Sequence, residues 1–302
     1  MTHLTKTRAG RIFLKSLTFL AVWSAFLLFA GWMARAQDSV TVDSSAGEGQ
    51  EYLLRYKFEA DQALSWDVAH RTSVRTIVGG VSQEDESQTR STKNWRVVEV
   101  NDDGNMLLEH TVSDISMTTE TGGVEQSYDS ATDSVEEIHP MFVPVAESVG
   151  QPLFIVTVTP RGEEVDRERI RASLESKYDR ILIVFPEEAI SVGSTWTHSF
   201  DKNVALPSGI VRSVRLRKQY VLESVRTGVA VFSVTTQVLT PIHDPELEAQ
   251  LLQDLWQGEY RFDIDAGYVL EQQLDINESC INFRGEGSSI RYQIRATEEL
   301  SD

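Results

Sequence analysis

The fold class predicted for this chain is mainly β: antiparallel sheets in two related lobes, half-barrel or sandwich-like, with a few short helices. Three observations predict it. Runs of alternating apolar and polar residues, rich in Val, Ile, Thr and aromatics and broken by Gly and acidic turn residues, recur along most of the 302 residues. A hairpin pattern occurs twice, over residues 93–115 and 218–239. Cys280 is the single cysteine, so no intramolecular disulfide can form and stability must come from a packed core.

The repeat sets Trp95 against Tyr220, Val97 against Leu222, Val100 against Val225, Gly104 against Gly228, Leu108 against Phe232 and Ile115 against Leu239. Each copy is a strand, a tight glycine turn and a second strand. Trp66 stands before the first copy as Trp196 does before the second. These relations divide the chain into a first lobe over 51–150, a connecting hairpin and helix over 151–185, and a second lobe over 186–302.

Residues 1–36 carry an export signal: Lys6, Arg8, Arg11 and Lys15 precede an apolar run from Leu17 to Met33, followed by Ala34-Arg35-Ala36. Cleavage is expected after Ala36, giving a periplasmic or extracellular protein. The alternative is an uncleaved N-terminal membrane anchor. Residues 37–50, rich in Ser, Gly and acids, are expected to be a flexible leader. Removing residues 1–36 takes away five basic and no acidic side chains, so 266 residues remain and the net charge moves from −18 to −23. Such a charge repels nucleic acid and anionic lipid surfaces, which are excluded as main partners. The expected partner is an envelope ligand or protein, with membrane contact only through an uncleaved N-terminus.

In the first lobe, strands are expected at 52–58, 63–68 and 71–78, and 83–92 is a polar run, either an exposed strand or a loop. After the first hairpin come a short strand at 124–130 and a short helix within 140–149, stopped by Gly150. The connecting segment pairs 153–159 with 163–165, then runs through a charged stretch, 166–178, whose ion-pair spacing predicts a helix. Residues 181–185 read as a short strand. In the second lobe, a helix over 244–256 enters through Asp244 and Pro245 and carries the stripe Leu247, Leu251, Leu252 and Leu255. A hairpin over 260–276 and strands at 280–284 and 289–297 finish the sheet.

Residues 186–196 (PEEAISVGSTW), 261–273 (RFDIDAGYVLEQQ) and 152–165 (PLFIVTVTPRGEEV) resemble an uncharacterised family of exported, β-rich bacterial proteins, well represented in planctomycetes. The resemblance covers most of the chain beyond residue 36 and implies a β-rich exported scaffold with no assigned activity. The chain departs from that pattern at 128–133, where the first-half counterpart of 262–267 has no turn glycine.

Signatures of chemistry are sparse. The six histidines include no pair at metal spacing and no H-E-x-x-H, and no serine lies in a G-x-S-x-G turn. Asp263 and Asp265 before Gly267, and Asp102 and Asp103 before Gly104, read either as turn-forming residues or as calcium ligands. Trp66, Trp95, Trp196, Tyr220 and Trp256 read either as core plugs or as the lining of an apolar ligand pocket. Arg215 and Arg217 share one strand face, as a candidate anion contact or a solvated balance to nearby acids. No metal or cofactor is expected. The leading reading is a non-enzymatic binding or scaffold protein of the cell envelope, carrying an apolar ligand. The alternatives are a periplasmic hydrolase and a structural component that associates through strand edges.

Overall fold

A computed structural model of the protein describes residues 49–170, 182–206 and 209–301. The expected export signal, its cleavage point and nearly all of the leader lie outside the described residues.

The chain is mainly β, as its alternation predicts. The first half contains β1 (Glu51–Tyr52), β2 (Ala63–Val78), β3 (Val81–Val100), β4 (Met106–Thr121), β5 (Val124–Asp129), α1 (Val143–Ala146), β6 (Phe154–Val158) and β7 (Glu164–Arg169). The second contains β8 (Ile190–Ser191), β9 (Thr195–Ala205), β10 (Val211–Arg226), β11 (Val229–Val238), α2 (Pro245–Leu251), a 3-10 turn (Leu252–Asp254), β12 (Gln257–Asp263), β13 (Tyr268–Ile281) and β14 (Ser289–Leu300). Eleven strands form one antiparallel sheet in the order β7-β6-β4-β3-β2-β14-β13-β12-β11-β10-β9, and β5 adds a twelfth beside β4. The sheet is two meanders joined edge to edge, because β14, last in the chain, pairs with β2 from Ser289 opposite Ile77 to Leu300 opposite Trp66. No helix among the described residues is long and apolar enough to cross a membrane.

The repeated hairpins share a register. Trp95 faces His110 and Val97 faces Leu108 in the first; Tyr220 faces Val234 and Leu222 faces Phe232 in the second. Each has a bulge at the same place, between Val97 and Glu99 and between Leu222 and Ser224. The entry turns match as well. Asp61 N donates to Val97 O at 3.0 Å and Gly193 N to Leu222 O at 2.8 Å, and both turn residues have positive φ, 64° and 88°. This alignment corrects two expectations. Leu64, opposite Trp95, is the counterpart of Trp196, opposite Tyr220, whereas Trp66 lies one inward position further on. The counterpart of the β12–β13 hairpin is β6–β7 rather than residues 128–133, since β6 pairs with β4 as β12 pairs with β11. Its turn does have a glycine, Gly162, with φ 86° beside the 77° of Gly267.

Two local expectations fail, and a third is settled in favour of its strand alternative, for one reason, that long-range partners decide what local pattern leaves open. Asp166 to Arg169 belong to β7, where Arg167 faces Val156, and do not open a helix; the rest of that expected helix lies outside the described residues. The polar run 83–92 is continuous strand within β3, held between β2 and β4. Residues 53–58 and 182–185 are irregular, although Leu54, Tyr56, Phe58, Ile183 and Phe185 are all buried. They form two straps. Tyr56 N donates to Pro160 O at 2.7 Å, Lys57 N to Gly267 O at 3.2 Å and Phe185 N to Arg161 O at 2.8 Å, so the straps bond to turns rather than to ladders.

One sheet face, termed inner, carries the main core. Trp66, Trp95, Leu108, Tyr220, Phe232 and Phe262 from this face pack with the straps in a single cluster that draws on both halves. Phe185 illustrates the contact, meeting Phe262 at 4.8 Å, Tyr56 at 5.2 Å and Phe232 at 6.0 Å between ring centroids. Away from the straps, α2 covers the same face. Leu247 and Leu251 pack on Val204 of β9 and Val214 of β10, and Ala249 and Leu252 on Cys280 of β13.

Candidate functional site

Between the straps and α2 the inner face changes character. Along β2 the inward positions read Trp66, Val68, His70, Thr72 and Val74, so a histidine and a threonine interrupt an apolar row. The β3 neighbours of His70 and Thr72 are Thr89 and Ser87; their β14 neighbours are Ala296 and Ile294, with Ile276 of β13 beyond. One flank of this band is therefore hydroxyl-bearing and the other apolar.

Trp256, just after the 3-10 turn, roofs the band. Its ring stacks on His70 with centroids 6.2 Å apart and planes 9° off parallel, and its carbonyl accepts from Thr236 N at 2.8 Å. His70 is 8% exposed and Thr72 3%. Even so, His70 Nδ1, Thr72 Oγ1 and Ser87 Oγ have no hydrogen-bond partner within the protein. Three adjacent buried polar atoms left this way are uncommon, because each costs roughly 1–3 kcal/mol without a partner. Burial holds the His70 imidazole well below its ordinary range, so it is neutral at pH 7.

A second polar group lies nearer the straps. Lys93 forms an ion pair with Glu298, each side chain about one-fifth exposed, and its Nζ sits 5.1 Å from the Trp66 ring centroid. Burial pushes the Lys93 ammonium down to about 7. His110 is wedged between Trp95 and Phe154, at 4.8 and 4.7 Å. Burial, with the positive charges of Lys93 and Arg167, pushes its imidazole down to about 3. Neighbouring Glu109 faces the other way and pairs with Arg96 at 3.1 Å.

Of the five aromatics singled out by sequence, four converge and one stands apart. Trp66, Trp95, Trp196 and Tyr220 lie in the core cluster, Trp196 stacked on Tyr220 at 5.1 Å with its Nε1 donating to Val184 O at 3.0 Å. Only Trp256 reaches the band, and it is half-buried. Arg215 engages Asp201 at 3.5 Å, and Arg217 Nη2 donates to Gln237 Oε1 at 2.7 Å, each bonding to a flanking strand of its own sheet. The acidic turns cap themselves: Asp263 Oδ1 accepts from Asp265 N at 2.9 Å and Ala266 N at 2.8 Å. Among the described residues no three His, Cys, Asp or Glu side chains gather as a metal site. Burial and Glu248 push the Cys280 thiol up.

Two cavities open elsewhere. One of about 580 Å³ lies among the hairpin tips, bounded by Tyr52, Arg226, Thr227 and Asp265. The other, about 390 Å³, lies on the outer face among Asp67, Arg90, Asp114, Glu271 and Glu299. Both have charged walls, and neither is lined by the five aromatics.

No family model and no curated protein matches the chain. Three solved structures are similar to it in part. A lipovitellin structure, concerned with lipid–protein interactions, shares 10% identity over 82% of this chain at a TM-score of 0.45. The chain spans 26% of that protein's length. DynF from the dynemicin biosynthesis pathway of Micromonospora chersina shares 7% identity at a TM-score of 0.20, covering 89% of this chain and 92% of its own. A DUF1329 family protein from Desulfovibrio piger shares 10% at 0.13, covering 81% and 85%. Similarities of this size carry no functional argument.

Proposed function

We propose that the protein is an exported, non-enzymatic binding protein of the cell envelope that holds an apolar ligand between the inner face of its sheet and α2. The observation that supports this reading is the band under Trp256, where His70, Thr72 and Ser87 present buried partnerless atoms beside Ile276, Ile294 and Ala296. A protein interior normally pairs such atoms. A ligand with an apolar body and a polar end satisfies both flanks at once.

In this reading α2 is the lid. It is short, capped by Asp244, whose Oδ1 accepts from Glu246 N at 2.9 Å, and tied down by the Lys202–Asp254 ion pair. Lifting it together with the adjoining Trp256 uncovers the band and Cys280. The test is mass spectrometry of small molecules carried by the mature protein purified from its native host. A defined apolar species at near-stoichiometric amount supports the reading. Protein that carries none, and whose thermal unfolding no amphiphile shifts, sinks it.

A second reading, association through strand edges, draws on β9, an 11-residue strand paired on one side only among the described residues.

A further inference from the structure

We infer that the ligand is an uncharged amphiphile, its hydroxyl or ester end seated among His70, Thr72 and Ser87 and its chain lying along Ala296, Ile294 and Ile276. The inference rests on the binding-site reading above and adds the chemical class of the ligand.

The polar atoms of the band are two hydroxyls and one ring nitrogen. Hydroxyls both donate and accept, and they match a ligand hydroxyl or ester carbonyl without introducing charge. Thr72 and Ser87 are direct cross-strand partners, so their oxygens stand side by side on one face. His70, two positions from Thr72 along β2, adds a third contact on the same face.

A carboxylate or phosphate lacks a counter-ion here. Lys93 is engaged by Glu298 and Lys202 by Asp254. Lys218 stands on β10, five strands from β2. Along the strands the next charged inward neighbours are acids: Asp85, two residues from Ser87, and Glu278, two residues from Ile276. An anionic head placed at Thr72 would lose its hydration and meet negative charge. An alcohol or acylglycerol meets neither penalty. Their shared chemistry, an uncharged oxygen on a long apolar chain, is what the two flanks of the band match.

The experiment is equilibrium dialysis of the mature protein against monooleoylglycerol and, separately, sodium oleate, which differ in charge at the head and share a chain. The expected result is at least about tenfold tighter binding of monooleoylglycerol, as for a site whose hydrogen bonds fit one head and strand the other. The double variant Thr72→Val/Ser87→Ala should lose that preference while keeping its circular dichroism spectrum and its oleate affinity, because Val is close to Thr in shape. Oleate binding as tightly as the ester overturns the inference and leaves the binding site standing. A preference unchanged in the double variant also overturns it, since the hydroxyls then serve only water. Binding of neither probe removes the inference and the site together.

Discussion

Gly162 and Gly267 occupy equivalent turns, and at both a single added methyl would collide with the strap. A Cβ on Gly162 would lie 2.2 Å from Ile183 O and 2.7 Å from the Tyr56 ring; one on Gly267 would lie 2.5 Å from Lys57 N. Gly162→Ala should therefore cost about 3 kcal/mol or more, backbone strain and collision together. Gly122→Ala, also at positive φ but facing open space, should cost only about 1 kcal/mol. Urea midpoints for the two variants check the contrast, and equal losses would refute the account of the strap. His110 gives a pH-dependent case. Its folded pKa lies below its unfolded value, so the stability it contributes is complete above about 6.5 and is lost as pH falls toward about 3. His110→Phe keeps a ring between Trp95 and Phe154 and should flatten the fall in stability between pH 6.5 and 4; an unchanged slope in urea midpoints argues otherwise. Both glycines are visible in the sequence as turn formers. Their closeness to Tyr56 and Lys57 is not, because nothing local announces a partner so distant along the chain. Thr72 was legible only as a residue of an expected strand, and Ser87 lay in a polar run read as exposed strand or loop; that both face inward without partners emerges once β2, β3 and β14 are paired.

At the scale of elements, α2 is where local signal and observed structure agree. Pro245 begins the helix, Asp244 caps it, and the leucine stripe meets the sheet as its spacing predicts. Asp244→Ala should weaken this helix by about 1 kcal/mol. Because Cys280 is 3% exposed beneath it and its Sγ donates to Pro245 O at 3.4 Å, thiol labelling reports the lid directly. The variant should label about fivefold faster under native conditions, the factor that about 1 kcal/mol implies for local opening. Labelling that requires global unfolding would show α2 to be no lid. The repeated hairpins were equally readable, since alternation and turn glycines are local properties. β7 and the straps were not. Their form depends on β6 and on the paired turns, and a charged stretch such as 166–169 favours a helix until a neighbouring strand claims its backbone. The edge-association reading is also tested at this scale: Thr197→Lys on the exposed side of β9 should abolish any self-association seen by sedimentation.

For the molecule as a whole, the decisive feature is that the main core is shared between the two halves. The main cluster draws Leu108 and Val156 from the first half and Phe232 and Phe262 from the second, with the strap residues Leu54, Tyr56 and Phe58 among them. Calorimetry of the protein lacking residues 1–36 should show one cooperative unfolding transition rather than two. A fragment comprising 186–302 should fail to fold, having lost the strap and leaving β14 without β2. Two separate transitions, or a folded fragment, would restore independent lobes. The joint between β14 and β2 also sets an order of events. The strap at 53–58 cannot seat until Gly267 has been made, and β2 cannot gain its second neighbour until residues 289–300 follow. Early and late segments of the chain are thus each other's templates, and folding cannot finish while the C-terminal strand is still being delivered. A chain built this way stays unfinished until residues 289–300 have emerged, the condition in which a polypeptide can be threaded through a membrane and completed on the far side.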